Sequence, residues 1–277
     1  MSGEAIRPDE GRRLFGGDSA AYERGRRAYP ARVYELIEQA GSWPGARVLD
    51  VGAGTGLATL ELVRRGAGSI VAVEPDARMA RELRRNVAAR AASAPGARGT
   101  EIEVVEAAFE GYHPPAASFD LVTAATSFHW VDETAGLTKA RLALRAGGVI
   151  ALWWFVFSDP DRDDPFHEAT TARLTVGREG PSGGAPGEPY HALAVETRTS
   201  ALRDAGFIDV QHELMRESGR FTPVRLRDLY STFSNTAHLP PDGRDELLDY
   251  IEATAADQFG GDVVRPMLVS LYIARSP

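Results

Sequence analysis

The sequence predicts an α/β fold built on a doubly wound, mostly parallel sheet, and three observations predict it. Short apolar runs alternate with helical patterns from residue 31 to residue 157. The connections are short, as parallel strands joined by crossover helices require. Several strands read as continuous small or β-branched runs rather than alternating ones, the pattern of a sheet covered on both faces.

In order, the first helix covers 31–40, with Pro30 before it, Gly41 after it, and Val33, Leu36, Ile37 and Ala40 on one face. Arg47 to Val51 is the first strand. It leads into Gly52-Ala53-Gly54-Thr55-Gly56 and a helix ending near Arg65. The second strand is Ser69 to Glu74, after which Pro75-Asp76 opens a helix that turns Met79, Leu83 and Val87 inward. Strands three and four fall at Glu101 to Glu106 and Phe119 to Ala125. Asp132 caps a helix along which Leu137, Ala140, Arg141 and Leu144 align, and Gly147-Gly148 stop it. Strand five, Val149 to Phe157, is the most apolar segment.

Beyond residue 158 the rhythm changes. Residues 177–189 are crowded with glycine and proline and read as a mobile loop. A helix is expected from His191 to Ala205, strand six at Ile208 to Leu214, helices within 222–261, and strand seven at Leu268 to Ala274. The expected whole is a Rossmann-like, seven-stranded sheet with an antiparallel last strand, in a domain spanning 31–277. A helical cap is inserted at about 222–261, and residues 1–30 form an N-terminal arm or lid.

Composition removes several classes of function. The 277 residues carry a formal net charge of -8 with no run of like charge, so nucleic acid is not an expected partner. The longest apolar run is far too short to cross a bilayer, and the opening Ser2-Gly3-Glu4, which has no apolar stretch, is not expected to be a secretion signal. A cytoplasmic protein without a membrane partner, monomer or homodimer, is the expectation. The absence of cysteine excludes disulfides, thiolate metal sites, iron–sulfur clusters and cysteine nucleophiles.

Lys139 is the only lysine. Thr138 and Ala140 flank it, so there is no phosphate-binding P-loop. Ala135 stands where a short-chain dehydrogenase would need tyrosine. Asp159, Asp161, Asp163 and Asp164 invite a metal test, but Asp164 occupies the place where a calcium loop needs glycine. Bracketed by Pro160 and Pro165, they read as a solvated loop with a helix cap, and no metal is expected.

The strongest local signal is Asp50-Val51-Gly52-Ala53-Gly54-Thr55-Gly56. Three alternating glycines after a strand let backbone approach a ligand closely, because no Cβ intervenes. A dinucleotide loop would carry a further glycine where Leu57 stands. Asp50 at the strand end suits a cationic ligand better than phosphates. Glu74 ends the next strand, and a carboxylate there can accept both hydroxyls of a ribose.

These residues resemble the class I S-adenosylmethionine-dependent methyltransferases, and within them the small-molecule branch called type 11 or type 25. The resemblance covers about 22–157 well and the rest loosely. It implies S-adenosyl-L-methionine as cofactor, S-adenosyl-L-homocysteine as product and a small-molecule methyl acceptor. It assigns Asp50, Gly52, Ala53, Gly54, Gly56, Glu74 and Pro75 to the cofactor, with Thr126 after strand four. Ala108 and Phe109 fall at the family's adenine-contacting turn, where Ala108 replaces a frequent acid. Phe15-Gly16-Gly17, Tyr22, Arg26-Arg27 and Tyr29-Pro30 look like the family's closing arm, with Tyr22 toward the cofactor; a packed terminal helix is the plainer alternative.

After strand four the chain reads Thr126-Ser127-Phe128-His129-Trp130, similar to relatives with an aromatic–His–Trp sequence near the methionine part of the cofactor. The Asn/Asp-Pro-Pro-aromatic motif of DNA amine methylation is absent. His129 is the candidate general base, or else a hydrogen-bonding residue that holds the loop. Together with His129, Trp130, Trp154 and Tyr230 are candidate acceptor contacts, with core packing the alternative for the three aromatic residues. Two other functions remain open: a cyclisation or rearrangement organised by the bound cofactor, and a non-enzymatic cofactor-binding protein.

Overall fold

The computed structural model describes residues 6, 8–11, 19–41, 44–93, 99–174 and 189–277. Its strands are β1 (Arg47–Val51), β2 (Ser69–Glu74), β3 (Glu101–Glu106), β4 (Phe119–Ala125), β5 (Leu144–Val156), β6 (Ile208–Phe221) and β7 (Val263–Arg275). They form one seven-stranded sheet in the order β3-β2-β1-β4-β5-β7-β6. β1 pairs in parallel with β2 and β4, β2 with β3, and β4 with β5. The Gly147 N–H donates to Ser276 O at 2.9 Å and the Ser276 N–H to Gly148 O at 2.8 Å. The end of β7 therefore lies beside the start of β5, and these two run antiparallel.

The helices are α1 (Pro8–Gly11), α2 (Ser19–Gly25), α3 (Ala31–Ala40), α4 (Leu57–Arg64), α5 (Ala77–Ser93), α6 (Glu133–Ala143), α7 (Pro165–Leu174), α8 (Val195–Asp204), α9 (Pro223–Ser231), α10 (Ser234–Ala237) and α11 (Pro241–Phe259). None among the described residues is long and apolar enough to cross a membrane. The chain divides into two compact units. One comprises residues 1–27, 155–190 and 214–269, the other 28–154, 191–213 and 270–277.

The second unit holds the parallel strands. Val48, Leu49, Ala72, Val73, Val122, Ala124, Ile150 and Ala151 are fully enclosed, as strands covered on both faces should be. Leu62 of α4, Leu83 of α5 and Leu137 of α6 supply the helical side of that core. Asp132 caps α6 by accepting the Ala135 N–H at 2.9 Å.

In the first unit α2 lies tight against α9, where a Cβ on Gly25 would stand 2.6 Å from the Leu229 nitrogen. The Arg26 guanidinium stacks on Tyr22, Phe157 and Phe233 and donates to the Thr232 hydroxyl and carbonyl.

Several expectations need correction. β5 begins at Leu144, so Gly147-Gly148 lie inside the strand rather than at a helix stop. β6 runs on to Phe221; it is the outermost strand, and its exposed positions can carry the charges that hid it. The helix expected from His191 starts at Val195, after a separate 3-10 turn at His191–Leu193. The aspartate loop is not uniformly solvated: Asp159 and Asp164 are buried, and Asp164 accepts the His167 N–H at 2.9 Å at the head of α7. Phe15-Gly16-Gly17 and all of 177–189 except its last residue lie outside the described residues.

Candidate active site

The parallel strands of the second unit bring their C-terminal ends together, the edge at which open α/β sheets bind ligands. Gly52, Gly54 and Gly56 all have positive φ, at 68°, 59° and 99°. A Cβ on Gly52 would strike the Ser127 side chain at 2.5 Å, and one on Gly56 would strike Leu83 at the same distance. Gly54 differs. Its Cβ would meet only the end of the Met79 side chain, at an ordinary contact distance of 3.7 Å, so nothing of the protein crowds this position. The Gly52 and Ala53 N–H groups donate to Val73 O, which fixes the loop to the end of β2.

Asp50 sits beneath this loop rather than on it. Its two oxygens accept the Thr59 hydroxyl at 2.6 Å and the Thr123 hydroxyl at 2.9 Å. Thr123 is its register partner on β4, so the carboxylate ties β1 to β4 and α4. Burial pushes its carboxyl upward. The role that geometry gives Asp50 is to brace the loop's root.

Glu74 closes the loop's other side. One oxygen accepts the Gly54 N–H at 2.8 Å and the other the Asp76 N–H at 2.9 Å. Burial pushes its carboxyl up to about 7, against the downward pull of those two donors. Pro75 follows directly, and Glu74 O accepts the Ala107 N–H beside Ala108.

Phe109 is buried in a 3-10 turn, Phe109–Gly111. Lys139 reaches from α6 to hold that turn, donating to the carbonyls of Phe109, Glu110 and Tyr112 at 2.8, 2.7 and 2.8 Å. This anchor was missed from sequence; its signal was the lone lysine in an arginine-rich chain.

After β4, Thr126 adopts φ 53°, unusual for a β-branched residue. Its N–H donates to Trp153 O at 2.6 Å, and its hydroxyl pairs with the Tyr29 hydroxyl at 2.8 Å. The Ser127 hydroxyl donates to Val51 O at 2.5 Å. The chain then enters the 3-10 turn Phe128–Trp130, which buries His129 and Trp130.

Neighbours along β5 alternate in direction. Trp153 packs edge-on to Tyr29 and Tyr34, whereas the Trp154 indole donates to His129 Nδ1 at 2.9 Å. The His191 ring lies 6.1 Å from that of His129 and 5.4 Å from that of Trp154. Arg198 stands beside His191 and is paired with Glu133. The glycine loop, Glu74, Phe109, Thr126, His129, Trp130 and Trp154 thus share the second unit; Tyr22 and Tyr230 belong to the first. Tyr230 is buried there, its hydroxyl accepting from Arg265 at 2.7 Å. Among the described residues no group of His, Asp or Glu is placed to hold a metal ion.

Residues 48–148 match the methyltransferase domain family. An uncharacterized methyltransferase of Mycobacterium bovis is 30% identical over 242 residues, which is 87% of this chain and 85% of that one. The chain belongs to the class I S-adenosylmethionine-dependent methyltransferases. A second relative of this methyltransferase, the malonyl-[acyl-carrier protein] O-methyltransferase of Geobacter sulfurreducens, is 28% identical over 254 residues, 88% of each chain. Phosphoethanolamine N-methyltransferase 2 of Haemonchus contortus, solved with phosphomonomethylethanolamine and S-adenosylhomocysteine, shares the fold at a TM-score of 0.57 and 16% identity. That match covers 95% of this chain and 57% of the other. The methyltransferase is an enzyme, and S-adenosylmethionine is its cofactor. The residues present fit that group: an open glycine loop and a prearranged carboxylate for a ribose diol.

Proposed function

We propose that this methyltransferase alkylates a small-molecule acceptor, and that Glu74 is the residue on which cofactor recognition turns. Both Glu74 oxygens are oriented by backbone N–H groups, so a ribose diol can donate to them without rearrangement. The backbone of Gly52, Ala53, Gly54 and Gly56 would approach the methionine part and Ala108 and Phe109 would flank the adenine. Thr126 would line the path toward the acceptor. S-adenosylmethionine, when bound, supplies a methyl group already activated on a sulfonium. The remaining work for the chain is alignment and exclusion of water, worth up to about 7–11 kcal/mol in well-oriented systems. Buried Trp130, Trp154 and His129 supply a largely apolar setting for it.

A small acceptor is favoured over nucleic acid by the net charge of -8 and by the absence of the DNA-amine motif after β4. The relative that acts on a malonyl group makes acyl carboxylates the first acceptors to try. Calorimetric titration with S-adenosylmethionine, S-adenosylhomocysteine and NAD tests the cofactor site. Both adenosyl ligands should bind, NAD should give no heat, and Glu74→Ala should weaken adenosyl binding at least tenfold; wild-type-like binding by the variant would remove Glu74 from the site. Product mass separates methyl transfer, which adds one methylene, from a cofactor-organised rearrangement, which adds nothing.

A further inference from the structure

The imidazoles of His129 and His191 each have a donor beside the ring lone pair. An indole nitrogen has only a hydrogen to give, so its bond at 2.9 Å consumes the His129 Nδ1 lone pair. The neutral ring must then carry its own hydrogen on Nε2. The neutral His191 ring has a single lone pair, and whichever nitrogen bears it, the Arg198 Nη1, which can only donate, lies within 3.1 Å of it. Burial, followed by the Arg198 charge, holds His191 at about 4, so it stays neutral through the physiological range. The carboxylate that Arg198 links to this cluster, Glu133, is engaged with it as an ion pair. A general base needs an uncommitted lone pair within reach of the proton it removes. Among the described residues of this cluster, neither imidazole supplies one.

We propose that His129 is a hydrogen-bond donor, held in its Nε2–H form by Trp154, and that the acceptor oxygen it meets arrives already ionised, as a carboxylate. The assignment rests on the methyl-transfer reading above. The reaction balances without a proton: a carboxylate lone pair forms the new O–CH3 bond, and the S–CH3 bonding pair returns to sulfur. The negative acceptor and the positive sulfonium become a neutral ester and a neutral thioether. A Nε2–H donor suits this step because it orients the carboxylate through one oxygen and leaves the other to attack. Trp154 is a positioning residue acting through His129.

The test has two arms. Long-range proton–nitrogen NMR of the 15N-labelled protein with S-adenosylhomocysteine, from pH 6.5 to 8.5, reads the tautomer directly, with His129→Gln providing the assignment. His129 should show a protonated Nε2 and a bare Nδ1 throughout, and Trp154→Phe should convert it to a tautomer mixture. A protonated Nδ1 in the wild type at pH 7.5 would overturn the proposal. The second arm offers tritiated S-adenosylmethionine to malonyl-CoA, hexanoate and benzoate beside 3-hydroxypropionyl-CoA, hexanol and benzyl alcohol. Alkali-labile methyl ester from at least one acid and nothing from the alcohols is expected. On that acid His129→Gln, which keeps an N–H, should stay within about tenfold of wild type, whereas His129→Leu should fall further. Methylation of an alcohol, or of no acid, overturns the acid assignment, as does a loss in His129→Gln of the 10²–10⁴-fold expected for removing a base. If S-adenosylhomocysteine fails to bind the folded protein, the methyl-transfer reading falls, while the tautomer is still read from the same sample.

Discussion

Glu74 carries its charge where burial resists it. Its carboxyl is pushed up to about 7 from 4.5, so the folded, cofactor-free protein holds a proton that the unfolded chain releases near pH 4.5. The sign follows: stability should fall as pH rises from 4.5 and level off above 7, by roughly 3 kcal/mol at most for this group. Cofactor binding should respond oppositely, because only the ionised carboxylate accepts both ribose hydroxyls. Affinity for S-adenosylhomocysteine should therefore rise about tenfold between pH 6 and pH 8 with a midpoint near 7. In Glu74→Gln it should be weaker and flat. Calorimetry at several pH values checks both; a flat wild-type profile would mean that Glu74 is already ionised at pH 6 or does not meet the ligand.

At the scale of the element, the three loop glycines are not equivalent, although all have positive φ. Alanine at Gly52 or Gly56 adds to the left-handed backbone, about 1–2 kcal/mol, a collision at 2.5 Å with Ser127 or Leu83. Gly54→Ala incurs only the backbone part, since its Cβ has 3.7 Å of clearance. Gly54→Ala should therefore fold with a small drop in melting temperature yet lose adenosyl binding, because the new methyl enters ligand space. Gly52→Ala and Gly56→Ala should lose stability first. Melting curves paired with titrations separate the cases, and full ligand affinity in Gly54→Ala would show that the loop does not cradle the cofactor.

This loop and its strands were legible because their signals are local. β1, β2, β3 and β4 fall where their apolar runs place them, and the glycines announce a close approach. What lay hidden depends on partners distant in sequence. Lys139 looks featureless until its ammonium meets carbonyls 27 to 30 residues earlier. The polar run after Leu214 conceals the second half of β6, since an outer strand lacks the two-sided burial that marks β1 or β2. Asp50 reads in the sequence as a cofactor residue, but its hydroxyl partners turn it downward into the core.

At the scale of the molecule, Arg265, on β7 in the first unit, makes a polar commitment outside the site that joins segments distant in sequence. Its guanidinium is almost wholly buried and gathers three separate segments. It donates twice to Asp164 Oδ2, at 3.0 and 2.8 Å, once to the Tyr230 hydroxyl and once to Phe157 O. No local pattern foretold it, because Asp164 stands 101 residues earlier in the chain. Breaking such a pair from one side leaves a buried carboxylate without its counter-charge, a loss of about 3–5 kcal/mol. Arg265→Met should accordingly lower the melting temperature by roughly 6–20 °C, at 2–4 °C per kcal/mol for a chain of this size. Removing both charges is a different experiment. In Asp164→Leu combined with Arg265→Met no charge is stranded, and apolar contact with Phe166 and Tyr230, already beside the guanidinium, replaces the pair. The double variant should be more stable than Arg265→Met alone, as measured by urea denaturation. If it is less stable by the sum of two independent losses, the pair is not the unit that holds these segments, and Tyr230 and Phe157 carry more of the cost than Asp164.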